Sequence, residues 1–169
     1  MSPNSTLVMN HKQVQQRLNR LAWQVYEQCW DENEIVIAGI AKNGFVLAKR
    51  IAVILENISP LRIRVIELQV DKQNPLNKPI ETGLSPAELR DKTVVVVDDV
   101  SNSGKTLIYA VNPFLDFPVK SILTLVLVDR DHNRYPVKTN FVGLSLSTTL
   151  QEHIDVQLDG IENDAVYLN

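Results

Sequence analysis

Two adjacent acidic residues, Asp98 and Asp99, stand between a run of four valines and a short turn rich in small and hydroxyl-bearing residues. A continuous β-branched run such as Val94–Val97 is typical of a strand that is buried on both faces. A predicted helix follows the turn, and its first N–H groups, with the hydroxyls of Ser103 and Thr106, can bind an anion such as phosphate. Carboxylates next to that anion are strong acceptors for sugar hydroxyls. The segment therefore predicts a site for a phosphorylated sugar.

The tripeptide Gly104-Lys105-Thr106 also resembles the end of the phosphate loop of nucleotide hydrolases. That motif requires a glycine five residues before Gly104, and the residue at that position is Asp99. Because a carboxylate in the cradle would repel a polyphosphate, we exclude this interpretation. An acidic surface turn with an ordinary helix cap is the structural alternative, since Ser and Asp are common at caps. For Ser103 alone that alternative is the stronger one.

Helices and strands alternate along the chain in an order that would carry these residues to one edge of a sheet. Apolar residues at helical spacing predict helices over 11–30, 44–56 and 103–111. Alternating or continuous apolar runs predict strands over 34–40, 62–70, 93–97, 120–128, 141–144, 154–158 and 165–168. This order predicts an α/β fold with a parallel sheet flanked by helices, and ligands of such sheets bind at the carboxyl ends of the strands.

The composition is that of an ordinary globular protein, with 169 residues of which 44% are hydrophobic and 22% charged. This is enough for one core, and we predict a single domain over 1–169. The net charge of −3 disfavours broad attraction to nucleic acid. A single cysteine, Cys29, excludes an internal disulfide, and the three histidines lack metal-ligand spacing. No apolar run approaches about 18 residues and Met1–Asn10 lacks a secretory pattern, so we expect a cytoplasmic protein without a membrane partner.

The segment from Val94 to Thr106 resembles the phosphoribosyl-pyrophosphate (PRPP) signature of the type I phosphoribosyltransferases. It has four hydrophobic residues, two acids, an aliphatic residue, two variable residues and then Ser-Gly-Lys-Thr. Gly39–Gly44 and the helical run after it are similar to the family's pyrophosphate loop, and residues 71–87 fall where the family has a mobile lid. The resemblance covers roughly residues 14–169. It implies the family's fold, with a small hood formed by the terminal segments.

This resemblance implies an enzyme that moves ribose 5-phosphate from PRPP to a nucleobase and releases pyrophosphate. Asp98 and Asp99 would hold the ribose hydroxyls, and together with Lys42 they are the implied catalytic residues. The 5′-phosphate would be bound by Val100, Ser101, Asn102, Ser103, Gly104, Lys105 and Thr106. The pyrophosphate would meet Ala41, Lys42 and Asn43, although a solvated loop lysine is the alternative for Lys42. Mg²⁺ would be carried largely by PRPP, and we assign no direct protein ligand to it.

The stretch 71–87 can be interpreted as a lid without the family. It belongs to a loop of about 22 residues, 71–92, between predicted strands, which is long for a compact domain, and such loops often cover active sites. Its closure would exclude water from the reactive sugar. Lys72 and Lys78 are the candidate contacts to pyrophosphate. The alternatives are solvated lysines and, for the whole stretch, a disordered linker.

The segment 128–138, with Phe141–Gly143 and Val156–Leu158, is similar to the uracil phosphoribosyltransferases that double as attenuation regulators of pyrimidine operons. This similarity implies uracil as the base. The implied base contacts are Arg130, Lys138, Phe141 and Val142, and a charged surface turn is the alternative for the cations among them. Asn102 occupies a position at which the purine branch has an aspartate that handles a ring proton. Asparagine cannot act as such a base, which disfavours a purine.

Two other functions stay open, an RNA-binding attenuation regulator with weak or no catalysis and a 6-oxopurine phosphoribosyltransferase. Phosphate contacts dominate RNA affinity, and residues 139–169 contain no Lys or Arg, so an RNA partner is disfavoured. An RNA-binding face would need to gather the cations Lys12, Arg17, Arg20, Arg130 and Arg134. Trp23 and Trp30 in the first predicted helix favour subunit contacts, and we expect a homodimer or a higher homo-oligomer.

Overall fold

The computed structural model describes residues 5–158, 160 and 162–169. The strands are β1 (Thr6–Met9), β2 (Glu34–Ile40), β3 (Arg62–Leu68), β4 (Thr93–Ser101), β5 (Ser121–Asp129), β6 (Phe141–Ser145), β7 (Ile154–Gln157) and β8 (Ala165–Leu168). The helices are α1 (His11–Gln28), α2 (Asn43–Ile58), α3 (Pro86–Leu89) and α4 (Lys105–Val111), and a short 3-10 turn covers Asn112–Phe114.

A central sheet of five parallel strands lies in the order β3-β2-β4-β5-β6. β4 is the middle strand, with Val97 opposite Gly39 of β2 and Asp98 opposite Val126 of β5. Because the strands run in one direction, their carboxyl ends meet at one edge of the sheet. That edge collects the turn after β2, the two acids of β4 and the loop after β5.

Apolar side chains fill both faces of this sheet. On one face α1 and α2 pack against it, with Leu18 and Leu47 fully buried in that layer. On the other face α4 and the 3-10 turn supply Leu107 and Phe114. The valines of β4 alternate between the two layers, which is why a run of four apolar residues suits the middle strand.

A second, smaller sheet is antiparallel and has the strand order β1-β8-β7. It is built from the first and the last described segments of the chain. The predicted parallel sheet flanked by helices, with a small hood from the terminal segments, is therefore confirmed.

The element boundaries differ from the prediction mainly at the functional edge. β4 was expected to end at Val97 but continues to Ser101, because Asp98, Val100 and Ser101 keep their pairing with β5. The helix expected from Ser103 begins at Lys105, after Gly104 at a φ of 77°. β1 and α3 were not predicted.

Residues 1–4, 159 and 161 lie outside the described residues, and they include part of Met1–Asn10, for which no secretory pattern was expected. The single-domain organisation over 1–169 stays a prediction. No helix in the described part of the chain has the length and apolarity needed to cross a membrane. Trp23 and Trp30 are 50% and 73% exposed. Their role in subunit contacts also stays a prediction.

Candidate active site

Asp98 and Asp99 are adjacent residues near the end of β4, at the carboxyl edge of the sheet. Successive side chains of a strand point to opposite faces, so Asp98 points toward the α4 side and Asp99 toward the α2 side. Asp98 is buried, with 1% exposure, and its Oδ1 accepts the N–H of Asp99 at 3.0 Å. Oδ1 of Asp99 accepts the N–H of Val100 at 2.9 Å. The main chain thus orients both carboxylates.

Lys72, from the segment predicted as a lid, reaches this acidic pair. Its Nζ lies 3.1 Å from Oδ1 of Asp98 and 3.6 Å from Oδ1 of Asp99. Burial acts to lower the pKa of Lys72, but the attraction of the two carboxylates outweighs it and the pKa lies above its ordinary value. A positive charge therefore occupies the space between the two acids.

Asp98 carries the strongest electrostatic perturbation of the site. Burial and the repulsion of Asp99 raise the pKa of Asp98 from 3.8 to about 7, and the attraction of Lys72 offsets only part of this rise. Ionisation of the Asp98 carboxyl therefore costs free energy near neutral pH. A ligand that brings positive charge or hydroxyl donors would stabilise the ionised form.

A cavity of about 200 Å³ adjoins Asp98 and is lined by Lys72 and by residues 100–107. These residues include the whole turn that the sequence predicts to bind a 5′-phosphate. Ser101 Oγ is buried in this lining, and no hydrogen-bond partner for it occurs among the described residues. The cavity therefore combines backbone N–H groups, hydroxyls and a free buried donor, which suits an anion.

The turn is supported from behind by the loop that follows β5. The carbonyl of Ser103 accepts the N–H groups of Arg134 and Tyr135 at 2.9 and 3.1 Å. A Cβ added to Gly104 would lie 2.7 Å from Cγ1 of Val137. Glycine is thus required at this position by both its positive φ and its close neighbour.

The predicted pyrophosphate loop sits beside the acidic pair. Its Ala41–Lys42 peptide bond is cis, and Lys42 is exposed at the start of α2. A Cβ added to Gly44 would lie 2.7 Å from the Val97 carbonyl oxygen, so the absence of a side chain lets α2 begin directly against β4. Asn43 contacts the site itself, since its Nδ2 donates to Asp99 Oδ2 at 2.9 Å.

The lid segment begins as a compact turn. Oδ1 of Asp71 accepts the N–H groups of Gln73 and Asn74, both at 3.0 Å, and this turn presents Lys72. Nζ of Lys105 donates to the Gln73 carbonyl at 3.2 Å, which ties the segment to the start of α4. Lys78 is exposed, and within the described residues it has no ion pair with the acids. The mobility of the lid stays a prediction.

A strand of the hood also reaches the site. Nδ2 of Asn43 donates to the carbonyl of Val156 in β7 at 2.8 Å as well as to Asp99. The sequence did not predict that β7 lies beside the acidic pair, because the contact is made by a main-chain carbonyl and involves no characteristic side chain. One amide side chain thus joins the pyrophosphate loop, the acidic pair and the hood.

The four predicted base contacts are not brought together at the acidic pair. Phe141 and Val142 are consecutive in β6, so their side chains enter the apolar layers on opposite faces of the sheet. Arg130 is 5% exposed, and its guanidinium donates to oxygens of residues 148–152. Lys138 is exposed, and its carbonyl accepts the Thr124 hydroxyl. A contact of these residues with a base stays a prediction.

The acidic pair suits a hard cation such as Mg²⁺, because it offers carboxylate oxygens at a point that already attracts the Lys72 ammonium. In the described ranges no group of three or more His, Cys, Asp or Glu side chains could hold a metal. Two carboxylates alone fit an ion that takes its other ligands from phosphate oxygens and water.

Comparison with known proteins identifies relatives of this chain. The model of the phosphoribosyl transferase domain matches residues 6–160. The Bifunctional protein PyrR of Bacillus pumilus is 32% identical over 95% of this chain and 94% of that protein, and the protein of the same name from Herpetosiphon aurantiacus is 32% identical over 92% and 90%. The hypoxanthine phosphoribosyltransferase of Trypanosoma cruzi has a similar fold, with a TM-score of 0.78 and 16% identity over 96% and 95% of the two chains. The resemblance to type I phosphoribosyltransferases is thereby confirmed.

The raised pKa of Asp98 makes stability depend on pH in a defined direction. Between about pH 4 and pH 7 the folded protein retains a proton that the unfolded chain releases, so stability falls as the pH rises through this window. The variant Asp98→Asn removes the charge and should raise the Tm by at least about 4 °C at pH 8. The gain should be smaller at about pH 5, where part of the penalty is absent.

Thermal denaturation of both proteins at the two pH values measures this difference. Asp116→Asn, at an exposed aspartate, is the matched control and should change little at either pH. An equal gain for Asp98→Asn at both pH values would show that the carboxyl titrates normally in the folded protein.

Gly104 and Gly83 allow backbone strain and crowding to be separated. Both have a positive φ, of 77° and 67°, but a Cβ at Gly83 would meet nothing within 4 Å. Gly83→Ala should therefore cost only the left-handed backbone penalty, about 1–2 kcal/mol of unfolding free energy. Gly104→Ala should cost about 1–3 kcal/mol more, because its Cβ crowds Val137. Urea denaturation measures both losses, and equal losses would contradict the packing described here.

Proposed function

The chain belongs to the family of the phosphoribosyl transferase domain, and on that premise we propose that it moves ribose 5-phosphate from PRPP to uracil and releases pyrophosphate. The observation that carries the proposal is the acidic pair of β4, with Asp98 buried and Asp99 partly buried, beside a cavity that suits an anion. Asp98 and Asp99 adjoin a lining of residues 100–107, which supplies hydroxyls and N–H groups. A ribose phosphate has two matching parts, a pair of hydroxyls for the acids and a phosphate for the cavity.

The residues around PRPP would act mainly by position and charge. Asp98 and Asp99 accept the ribose hydroxyls, and residues 100–106 bind the 5′-phosphate. Ala41, Lys42 and Asn43 face the diphosphate, where Mg²⁺ bound to PRPP supplies further neutralisation of charge. As the bond from the anomeric carbon to the diphosphate breaks, positive charge develops on the sugar, and the neighbouring carboxylates stabilise it. Fixed orientation of base and sugar accounts for much of the remaining acceleration.

Lys72 would change partners when PRPP binds. In the structure its ammonium compensates the repulsion between the two acids. Ribose hydroxyls take over that role, which releases Lys72 toward the diphosphate as the lid closes. Exclusion of water by the closed lid protects the reactive sugar from hydrolysis.

The free edge of β7 is the surface that we propose for the base. β7 lies next to Asp99 through the shared amide of Asn43. His153 exchanges both backbone hydrogen bonds with Asn169, so the alternation of an antiparallel pair directs the N–H and C=O of Ile154 to the free edge. One donor and one acceptor side by side suit the N–H and C=O of a nucleobase lactam.

Uracil is favoured over a purine by two observations. The similarity of residues 128–138 to the uracil-specific subgroup is accompanied by curated relatives that are named PyrR and span more than nine tenths of the chain. Asn102 also lacks the basic carboxylate that the purine branch is implied to use. The solved structures that are named for hypoxanthine or guanine are 16–22% identical to this chain and support the fold alone.

An RNA-binding role is weakened by the placement of the cations it would need. Nη2 of Arg20 donates to the carbonyls of Val142 and Gly143, at 2.8 and 2.6 Å. Arg130 is buried on carbonyl oxygens. Filter binding of pyrimidine-operon leader RNA should therefore show weak affinity, with a shallow dependence on salt. Tight binding that falls steeply with salt would establish the regulator function instead.

The decisive measurement is base-dependent release of pyrophosphate from PRPP, with uracil, hypoxanthine, guanine and xanthine compared in parallel. We expect turnover with uracil and little with the purines. Turnover with a purine alone would replace uracil by that base. The absence of turnover with every base would contradict transferase function.

Loss of one carboxylate should strongly impair the reaction. Asp99→Asn should lower turnover at least about tenfold, because the ribose hydroxyls lose a charged acceptor. Asp116→Asn removes an exposed aspartate and serves as the control, with turnover expected to be unchanged. Wild-type kinetics in Asp99→Asn would remove this residue from the site.

A further inference from the structure

β7 is a short edge strand that crosses beside the acidic pair. In the described chain it pairs with β8 alone, so one of its edges has no neighbouring strand. His153 exchanges hydrogen bonds with Asn169, and the alternation of the ladder then turns the carbonyls of Ile154, Val156 and Leu158 to this free edge. A four-residue strand paired on one side is ordinarily among the least stable parts of a fold. Its fixed position here requires another source of stability.

Arg130 holds the segment that leads into β7. Its Nη2 donates to the carbonyls of Thr149 and Glu152, at 2.9 and 2.8 Å, and its Nε donates to the Thr148 hydroxyl at 2.8 Å. The backbone N–H of Arg130 bonds to the carbonyl of Ser101 at 2.9 Å. The end of β4 and the entry to β7 are thus joined through one residue.

Arg50 holds the segment that leaves β7. Its Nη2 donates to the carbonyls of Leu158 and Gly160, at 3.2 and 2.8 Å. Its Nη1 lies 2.6 Å from Oδ2 of Asp164, a carboxylate with no exposed side-chain surface. Arg50 belongs to α2, the helix that begins at the predicted pyrophosphate loop. The exit of β7 is therefore joined to the same helix that carries Asn43.

Asp164 keeps the Arg50 guanidinium oriented. Its Oδ2 also accepts Nε2 of Gln15 at 2.7 Å and lies 3.2 Å from Nδ1 of His11. A planar guanidinium that is bonded on one side to a fixed carboxylate presents its remaining N–H groups in a fixed direction. Those N–H groups point to the two carbonyls after β7.

These contacts form a regular arrangement along one strand. Arg130 holds its entry, Asn43 holds the Val156 carbonyl in its middle, and Arg50 holds its exit. Asn43 and Arg50 belong to α2 and Arg130 directly follows β5. Each of the three acceptors is a main-chain carbonyl of the segment that contains β7. Ile154 lies between the first two attachments, two residues before the Val156 carbonyl that Asn43 joins to Asp99.

We propose that Arg50 and Arg130 are positioning residues that fix β7 across the mouth of the active site, so that the free edge at Ile154 meets the base. The effect on base binding rests on the proposed function, whereas the bracing of β7 does not. Neither arginine contacts the reacting atoms. Their loss should let β7 move away from the acidic pair while the PRPP cavity, formed by a different segment, stays intact.

Arg50→Lys and Arg130→Lys test the proposal because lysine keeps the charge and the aliphatic stem but loses the planar fork. Arg62→Lys is the matched control, since that side chain is 76% exposed and pairs with Glu34 at 3.7 Å, away from β7. The first readout is hydrogen–deuterium exchange of peptides over residues 150–158 and over β4. We expect exchange about tenfold faster or more in 150–158 for the two test variants, with β4 unchanged.

The second readout separates positioning from general destabilisation. In the pyrophosphate-release assay, the KM for the base should rise at least about fivefold in both test variants, while the KM for PRPP stays within about twofold. Equal increases of both KM values, or an unchanged KM for the base, would overturn the positioning role. Unchanged exchange in residues 150–158 would overturn the bracing itself.

Two further controls keep these outcomes distinct. Asp164→Asn leaves Arg50 in place but weakens the ion pair that orients it. If Arg50→Lys fails to fold, Asp164→Asn takes its place and should show faster exchange over residues 150–158. Wild-type protein that turns over no base would contradict the proposed function. The exchange measurement would still decide whether the two arginines brace β7.

Discussion

Two carboxylates held next to each other at the end of a buried strand set the conditions for the rest of this structure. Like charges at this distance repel, and burial of Asp98 adds the cost of removing its carboxylate from water. The fold offsets these costs with local donors rather than by separating the acids. The N–H groups of Asp99 and Val100, the amide of Asn43 and the ammonium of Lys72 all point at the pair. The pair therefore keeps carboxylate oxygens that can accept further hydrogen bonds from a ligand rich in hydroxyls.

The elements around the pair are placed so that this arrangement stays rigid. α2 begins against the end of β4 because Gly44 has no side chain to intervene. α4 begins after Gly104, whose left-handed conformation turns the chain away from the sheet and exposes N–H groups to the cavity. The loop after β5 supports that turn through the Ser103 carbonyl. Each of these three features fixes the main chain, which is less mobile than the side chains.

The hood is joined to this frame by side chains that donate to main-chain carbonyls. A sheet of three short strands gains limited stability from its own hydrogen bonds. Arg50, Asn43 and Arg130 add donors from the central layer along β7, and Asp164 anchors one of them. The acidic pair and β7 are thus connected, because Asn43 bonds to both Asp99 and Val156.

The sequence by itself predicted most of the elements and one contiguous segment, Asp98 to Thr106, that the structure places at the edge of a cavity. β2 and the helix before it follow from local periodicity, and Asp98 to Thr106 form one contiguous segment whose residue types act on their immediate neighbours. Because this segment is contiguous, the resemblance to the family could be identified from it. Contiguous patterns report local geometry, and parallel strands bring such segments to one edge by rule.

Only the tertiary structure decided which residues hold the hood against the central sheet. Asp164 meets Arg50 across 114 residues, and Asn43 meets Val156 across 113, so no local pattern links the partners. Arg130 was expected at the base because it follows a strand end, and that contact stays a prediction. What the structure shows is that its guanidinium donates to the main-chain carbonyls of Thr149 and Glu152. A carbonyl acceptor has the same chemistry in every residue type, and the sequence therefore carries no mark of where such a contact forms.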